Sequence, residues 1–330
     1  MLPNELKEDI ITLPQTDQHT IVIVTGNGLR HQRFAKRIQQ AFPDQVVAWY
    51  ELDNTVSRKE THPNNTKNAI SNNIQAPTTS KINKILSRLS QEIPKSLSKY
   101  GFLGTLKKMG SLLSHIYYRV FIMRNTGKKM LEAEKALFQE ELRELEKSTT
   151  LVSIKIHPND VHGKIFIDEI KKLHPYFFLT LSGPLYRESL LQSIRGAAIN
   201  QHAGHSPLFK GSNTIHWALY HRDLTHVSST IHITTTGADA GQILRRSNPC
   251  LFPYDSIETV FLRTVALGTE LMIESVNEIM QNKQVKVFAQ PKGMGKTYLN
   301  KSYNFHIAKA VNRDFNTSWL HDELNNQRNF

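Results

Sequence analysis

The succession of apolar and polar stretches divides the chain into regions of different rhythm. Residues 20–24 (TIVIV) form a short β-branched apolar run, the pattern of a parallel strand buried on both faces. Thr25-Gly26-Asn27-Gly28 follows, and then Phe34, Ile38 and Phe42 recur at helical spacing. Strand, glycine turn and helix make the first half of a βαβ unit. VVAWYEL at 46–52 fits the next strand. The rhythm then stops. Residues 53–100 are rich in Asn, Thr and Ser with little apolar periodicity, and read as an exposed connection. Residues 100–123 form a basic, amphipathic segment. Residues 128–148 carry the clearest helical pattern, with Leu131, Phe138, Leu142 and Leu145 marking one apolar side.

Alternation resumes at 151. Strands are predicted at 151–156, 176–182, 196–202, 225–233 and 240–246, and helices at 161–173, 185–194 and 257–280. Strands alternating with helices predict an α/β fold with a mostly parallel sheet covered on both faces. The expected organisation is a catalytic α/β domain of 1–52 and 149–280. A polar linker and helical insertion at 53–148 interrupts it, and 281–330 is a small C-terminal extension. Ligands of such sheets sit at the carboxyl ends of the strands. The turns after 24, 182 and 200 are therefore the places to search.

Composition narrows the partners. Lys and Arg number 41 against 29 Asp and Glu, a formal charge of +12, which favours anionic partners without choosing among nucleic acid, acidic lipid and phosphorylated small molecules. A single cysteine, Cys250, rules out a disulfide framework within one chain. The polar start MLPNELKEDIITL lacks the features of a secretion signal, and no run of about 18 apolar residues appears. A cytoplasmic location is expected.

Four segments carry candidate chemistry. Gly26-Asn27-Gly28 precedes a helix N-terminus, whose free N–H groups and dipole can hold a phosphate; a tight turn without ligand is the plain alternative. His31 replaces the third glycine of a dinucleotide fingerprint, so Glu51 and Asp53 remain weak candidates for a ribose. Asn200 and His202 stand two apart at a strand end and face the same way. An amide and an imidazole there can donate hydrogen bonds to a developing oxyanion, and the imidazole can exchange a proton. His202 with His205 lacks the carboxylates or thiols that would complete a metal site, so no metal is expected. Asp239, in a turn of small residues, can orient a histidine or relay a proton. Gly293-Met-Gly-Lys-Thr297 imitates the end of a phosphate loop, but Gln290 stands where its first glycine belongs, so it is rejected.

Taken in order, these residues resemble the folate-dependent formyltransferases, a family that includes glycinamide ribonucleotide, methionyl-tRNA and nucleotide-sugar amine formyltransferases. Its pattern of Asn-x-His at a strand end reads here as Asn200-Gln-His202, and the following loop as Ser206-Pro-Leu-Phe-Lys-Gly211. A strand ending in Thr-x-His and an Asp-x-Gly turn read as Thr230-Ile-His232 and Asp239-Ala-Gly241. The resemblance covers roughly 151–280, extends to 20–42, and is absent over 53–148. It implies a Rossmann-like sheet with a helical insertion, Asn200, His202 and Asp239 as catalytic trio, and His232 as a structural residue. It implies 10-formyltetrahydrofolate as co-substrate, without metal. Ser182, Gly183, Pro184, Leu185 and Tyr186 would form the loop whose backbone cradles the pterin. Gly26, Asn27 and Gly28 resemble the turn that holds substrate phosphate, and Ser206 and Lys210 would contact substrate. Gly204-His-Ser-Pro207 and the pterin loop depart from the commoner family forms.

The expected acceptor is an anionic small-molecule amine, foremost an amino-sugar nucleotide. Methionyl-tRNA is the runner-up, since about 50 residues after the long helix are too few for a full tRNA-binding barrel. A different class is an inactive module that binds RNA or a membrane surface through 100–130, where Lys107, Lys108, Arg119, Arg124, Lys128 and Lys129 flank apolar residues.

Overall fold

The computed structural model describes residues 6–56, 123–282, 284–315 and 318–328, with positions 101, 103, 104 and 110. The chain divides into two compact units, residues 1–62 with 132–330, and residues 63–131. The expected connection from 57 to 100, and Lys107, Lys108 and Arg119 of the basic segment, lie outside the described residues. Within the second unit the described residues include the first turns of one long helix, Met123–Ser148.

In chain order the strands are β1 (Glu8–Thr12), β2 (Ile21–Thr25), β3 (Val46–Leu52), β4 (Ile154–Ile156), β5 (Phe177–Leu181), β6 (Ala197–His202), β7 (Phe209–Gly211), β8 (Ser229–Ile233), β9 (Ile243–Ser247), β10 (Gln284–Phe288) and β11 (Lys296–Tyr298). The helices are α1 (Leu29–Ala41), α2 (Met123–Ser148), α3 (Lys164–Leu173), α4 (Glu188–Leu191), α5 (Thr214–Tyr220), α6 (Ile257–Gln281), α7 (Phe305–Phe315) and α8 (Trp319–Arg328). The described residues form one nine-stranded sheet, ordered β1-β10-β9-β8-β6-β5-β2-β3-β4. Its pairs from β4 through β6 are parallel. Beyond β6 the pairs turn antiparallel. The central strand direction therefore changes at the edge of β6.

The β2 run is continuous because both of its faces are covered. Ile21 and Ile23 pack with Phe34 and Ile38 of α1 and with Val265, Met272 and Val276 of α6. Val22 and Val24 pack on the opposite face with Phe166 and Ile170 of α3. These residues are fully or almost fully buried, and their burial is the main favourable term holding the layers together. Helix α6 lies close behind β6 and β8. A Cβ on Gly268 would stand 2.3 Å from the Gln201 amide nitrogen and 2.2 Å from Ser229 Oγ, so a larger residue there would displace both side chains. Gln201 also donates to the Val265 carbonyl at 2.7 Å, which fixes the back of β6.

Several expectations change. The helix predicted at 185–194 is only Glu188–Leu191, because the chain stays extended through Arg187 and Tyr186 turns into the core. The predicted helix at 161–173 splits into a 3-10 turn at Pro158–His162 and α3. Strand β8 is confined to Ser229–Ile233 and runs antiparallel to β6. Residues 281–330 are more than an extension. They add β10 to the main sheet, pair β11 with β7, and bury Tyr298, Val311 and Leu320 against Phe209, Ile215 and Trp217. The short, alternating QVKVF stretch carries too weak a pattern to be read as a sheet strand in advance.

Candidate active site

Strand pairing assembles the polar cluster. Asn200 lies beside Thr180 of parallel β5 and opposite His232 of antiparallel β8. Directly paired residues share a face, so the three side chains meet. Thr180 Oγ1 donates to Asn200 Oδ1 at 2.8 Å. That bond fixes the amide orientation and leaves the Asn200 NH2 to face His232 Nε2 at 3.1 Å and Asp239 Oδ1 at 3.5 Å.

Asp239 reaches the same point from the turn between β8 and β9, in a left-handed conformation at φ 47° that an aspartate tolerates. His202, two residues beyond Asn200, places Nδ1 3.4 Å from Asp239 Oδ2. His232 Nε2 lies 3.3 Å from Asp239 Oδ1. The backbone N–H of Gly211 donates to Asp239 Oδ2 at 2.7 Å. Burial acts to raise the acid of Asp239, but it is outweighed by the charges and hydrogen bonds of His202, His232 and Gly211, which hold the carboxyl well below its usual range. The group is therefore an anion at any ordinary pH.

The imidazoles are oriented by main-chain carbonyls. His202 Nε2 faces the Phe209 carbonyl at 2.9 Å, and His232 Nδ1 faces the Ile233 carbonyl at 2.9 Å. A carbonyl only accepts, so each of these nitrogens carries a proton. The second nitrogen of each ring then points at Asp239, and a second proton there would form a charge-assisted bond. One carboxylate thus stands between two rings. Asn200 is half-buried, whereas His202 is 7% and His232 2% exposed. The 3.5 Å contact of its amide with Asp239 is the longest of the cluster and the weakest. Asn200 is the least buried of the three, with its NH2 held toward the cluster by Thr180.

The remaining predicted residues separate into two groups. Ser182, Gly183 and Leu185 are exposed at the carboxyl end of β5, with Ser182 at φ 64°. Tyr186 instead points inward against Phe178 with its hydroxyl unpartnered, and burial pushes its phenol up. Ser206 is fully buried: Thr230 accepts from its N–H at 3.2 Å and Arg246 donates to its carbonyl. It shapes the loop and does not face an open surface, contrary to the expected substrate contact. Lys210 donates to the Met294 carbonyl at 3.3 Å. Gly26, Asn27 and Gly28 form the turn before α1, but Glu134 of α2 lies against that helix start, accepting from Leu29 N–H at 3.4 Å and from the Arg30 guanidinium. The expected phosphate position therefore holds a carboxylate of the chain itself. Glu51 and Asp53, at the end of β3, share Lys155.

Four contributors were not read from the sequence. Thr180 had a signal, as the one polar side chain within the apolar FFLTL strand. The Gly211 N–H and Phe209 carbonyl are main-chain groups without a sequence signature. Gln290 secures the Asp239 turn by donating to the Asp239 and Gly241 carbonyls at 2.8 and 2.6 Å. The segment rejected as a phosphate loop supports the cluster from behind through β11. At Gly211, φ is 89° and a Cβ would stand 2.3 Å from the Tyr298 carbonyl oxygen, so the N–H that meets Asp239 depends on glycine. Among the described residues, no group of three or more His, Cys, Asp or Glu could hold a metal ion. No helix among them is long and apolar enough to cross a membrane.

Residues 123–276, which contain the whole cluster, match the model of the formyl transferase family. Over this region the chain is similar to that family. It takes in just under half of the chain and leaves out the Gly26 turn. The methionyl-tRNA formyltransferase of Thermodesulfovibrio yellowstonii is 29% identical over 124 residues, 37% of this chain and 40% of that protein. That of Ehrlichia ruminantium is 31% identical over 141 residues, 42% and 45% of the two chains. The chain thus spans about two fifths of the length of these curated relatives. A sugar N-formyltransferase from Shewanella aligns over 88% of this chain and 86% of its own, with 11% identity and a TM-score of 0.46. The phosphoribosylglycinamide formyltransferase of Bacillus halodurans aligns over 80% and 96%, with 13% identity and a TM-score of 0.44.

Proposed function

We propose that this chain transfers a formyl group from 10-formyltetrahydrofolate to a primary amine of an anionic acceptor, foremost an amino-sugar nucleotide. The observation that carries this reading is the convergence of the Asn200 amide, the His202 and His232 imidazoles and the Asp239 carboxylate at the carboxyl end of β6, inside the formyl transferase region. The exposed residues Ser182, Gly183 and Leu185 at the neighbouring strand end suit a flat, polar heterocycle, and the folate would supply the formyl group there.

In the transfer a carbon–nitrogen bond to the acceptor forms and the one to the donor breaks, while a proton moves from the attacking to the leaving nitrogen. Asn200 donates to the carbonyl oxygen as it gains charge, an effect worth roughly 3–4 kcal/mol for a preorganised donor. Thr180 keeps that amide from flipping. Asp239 holds His202 and His232 on its two oxygens, and these three groups carry the proton. The formal charge of +12 supports a negatively charged acceptor. Methionyl-tRNA is the second reading, favoured by the names of the matched curated relatives.

Incubation with 10-formyltetrahydrofolate and a panel of amino-sugar nucleotides, beside methionyl-tRNA, tests the proposal by mass spectrometry. A mass gain of one formyl group on a sugar nucleotide is expected. A gain on tRNA alone selects the second reading, and consumption of donor with no acceptor in either class overturns the first.

A further inference from the structure

The start of α1 has the features of an anion site, with a glycine turn and a helix N-terminus of a 13-residue helix. Yet Glu134 is already there. The residue is 3% exposed. Its oxygens lie 3.5 and 3.6 Å from where a Cβ on Gly28 would stand, so the carboxylate sits directly over the turn. It accepts from Leu29 N–H and pairs with Arg30. Its placement is set by a longer register. Glu141, two helical turns further along α2, pairs with Arg33 at 2.7 Å and with Arg37 at 3.7 Å. The two acids thus lock α2 along the basic side of α1.

His31 gives a second, independent observation. It is 2% exposed, and its Nδ1 donates to the Asn27 carbonyl at 2.7 Å. Its Nε2 is buried without a hydrogen-bond partner and points into the turn, 2.9 Å from a Cβ position on Gly26. With Nδ1 protonated, Nε2 of the neutral ring presents a lone pair. Burial, reinforced by Arg30, lowers this histidine to about 3, so the ring is neutral at physiological pH. A carboxylate and an imidazole lone pair therefore line the turn: the first repels a phosphate, and the second offers no hydrogen to an unprotonated phosphate oxygen.

We propose that Glu134 is a specificity determinant: it closes the α1 N-terminus to phosphomonoesters, so that the acceptor amine reaches the Asn200 cluster without a phosphate held in the Gly26 turn. Its meaning for the acceptor rests on the formyl-transfer reading, but the closed anion site does not. Arg30 and the helix start stay in place when the carboxylate is removed, and an anion from solution can then take over both contacts.

The test titrates inorganic phosphate into the full chain, followed by phosphorus NMR line broadening, and needs no formyl transfer. Wild type is expected to show no saturable binding in the millimolar range. Glu134→Ala is expected to gain binding at least tenfold tighter than wild type, and Arg30→Ala in addition should abolish it. Glu134→Gln, which keeps an acceptor for Leu29 N–H, should show the same gain in weaker form and serves if the alanine variant fails to fold. Equal phosphate affinity in wild type and a folded Glu134 variant overturns the proposal. Absence of formyl transfer in the wild-type chain, with this gain intact in the variant, would count against the transfer reading alone.

Discussion

Two turns at the carboxyl edge of one sheet are both candidate sites in sequence and differ in the folded protein. The turn after β2 carries two glycines and a helix start, and the end of β6 carries Asn-x-His. At β6, neighbouring strands bring polar groups toward one point and leave Asn200 half-buried. At β2, Glu134 supplies the negative charge that a ligand would bring. Position at a strand end therefore makes a turn eligible to bind. Whether it remains open depends on what distant segments add, here a carboxylate from 105 residues further along the chain.

The comparison breaks most sharply at Asp239. Asp239→Asn keeps the shape but removes the charge between the two imidazoles, and should lower kcat for formyl transfer by about 10³-fold. Circular dichroism should show the native fold, since the side chain is partly exposed. Near-wild-type turnover in that variant would falsify the proton-carrying role.

A smaller effect is expected at Thr180. Thr180→Val removes the bond that orients the Asn200 amide while preserving the β-branched shape. A loss of about tenfold in kcat with little change in KM is expected, because the donor is misdirected and not deleted. An unchanged kcat would mean that β6 alone orients the amide.

The β2 turn should show itself in stability instead. His31 is held at about 3 in the folded chain against 6.5 when unfolded. Between those values the unfolded chain binds a proton that the native chain refuses, so stability falls as pH drops below 6.5. The contribution is about 1.4 kcal/mol per pH unit for this group. Urea unfolding at pH 7 and pH 5 should show a smaller loss for His31→Gln than for wild type. Equal losses in the two proteins would assign the acid sensitivity elsewhere, with buried His205, also lowered to about 3 by burial and by Arg246, the next group to replace.

The sequence by itself determined the alternation of strands and helices, because a strand buried on both faces must be apolar throughout and a helix against a sheet must repeat its apolar positions. VVAWYEL at 46–52 is β3 with the same bounds, and the reading of 257–280 differs from α6 by one residue. Local spacing also brought out Asn200 and His202, two residues apart on one strand. Tertiary structure decided what long-range pairing controls: the opposition of Asn200 and His232, the anchoring of Asp239 by Gly211 and Gln290, and the burial of Ser206. It also decided that Glu134 lies over the Gly26 turn. The physical reason is that periodicity reports which face of an element is buried, whereas a polar site depends on which separate elements meet there, and a single polar residue in one of them leaves no periodic trace.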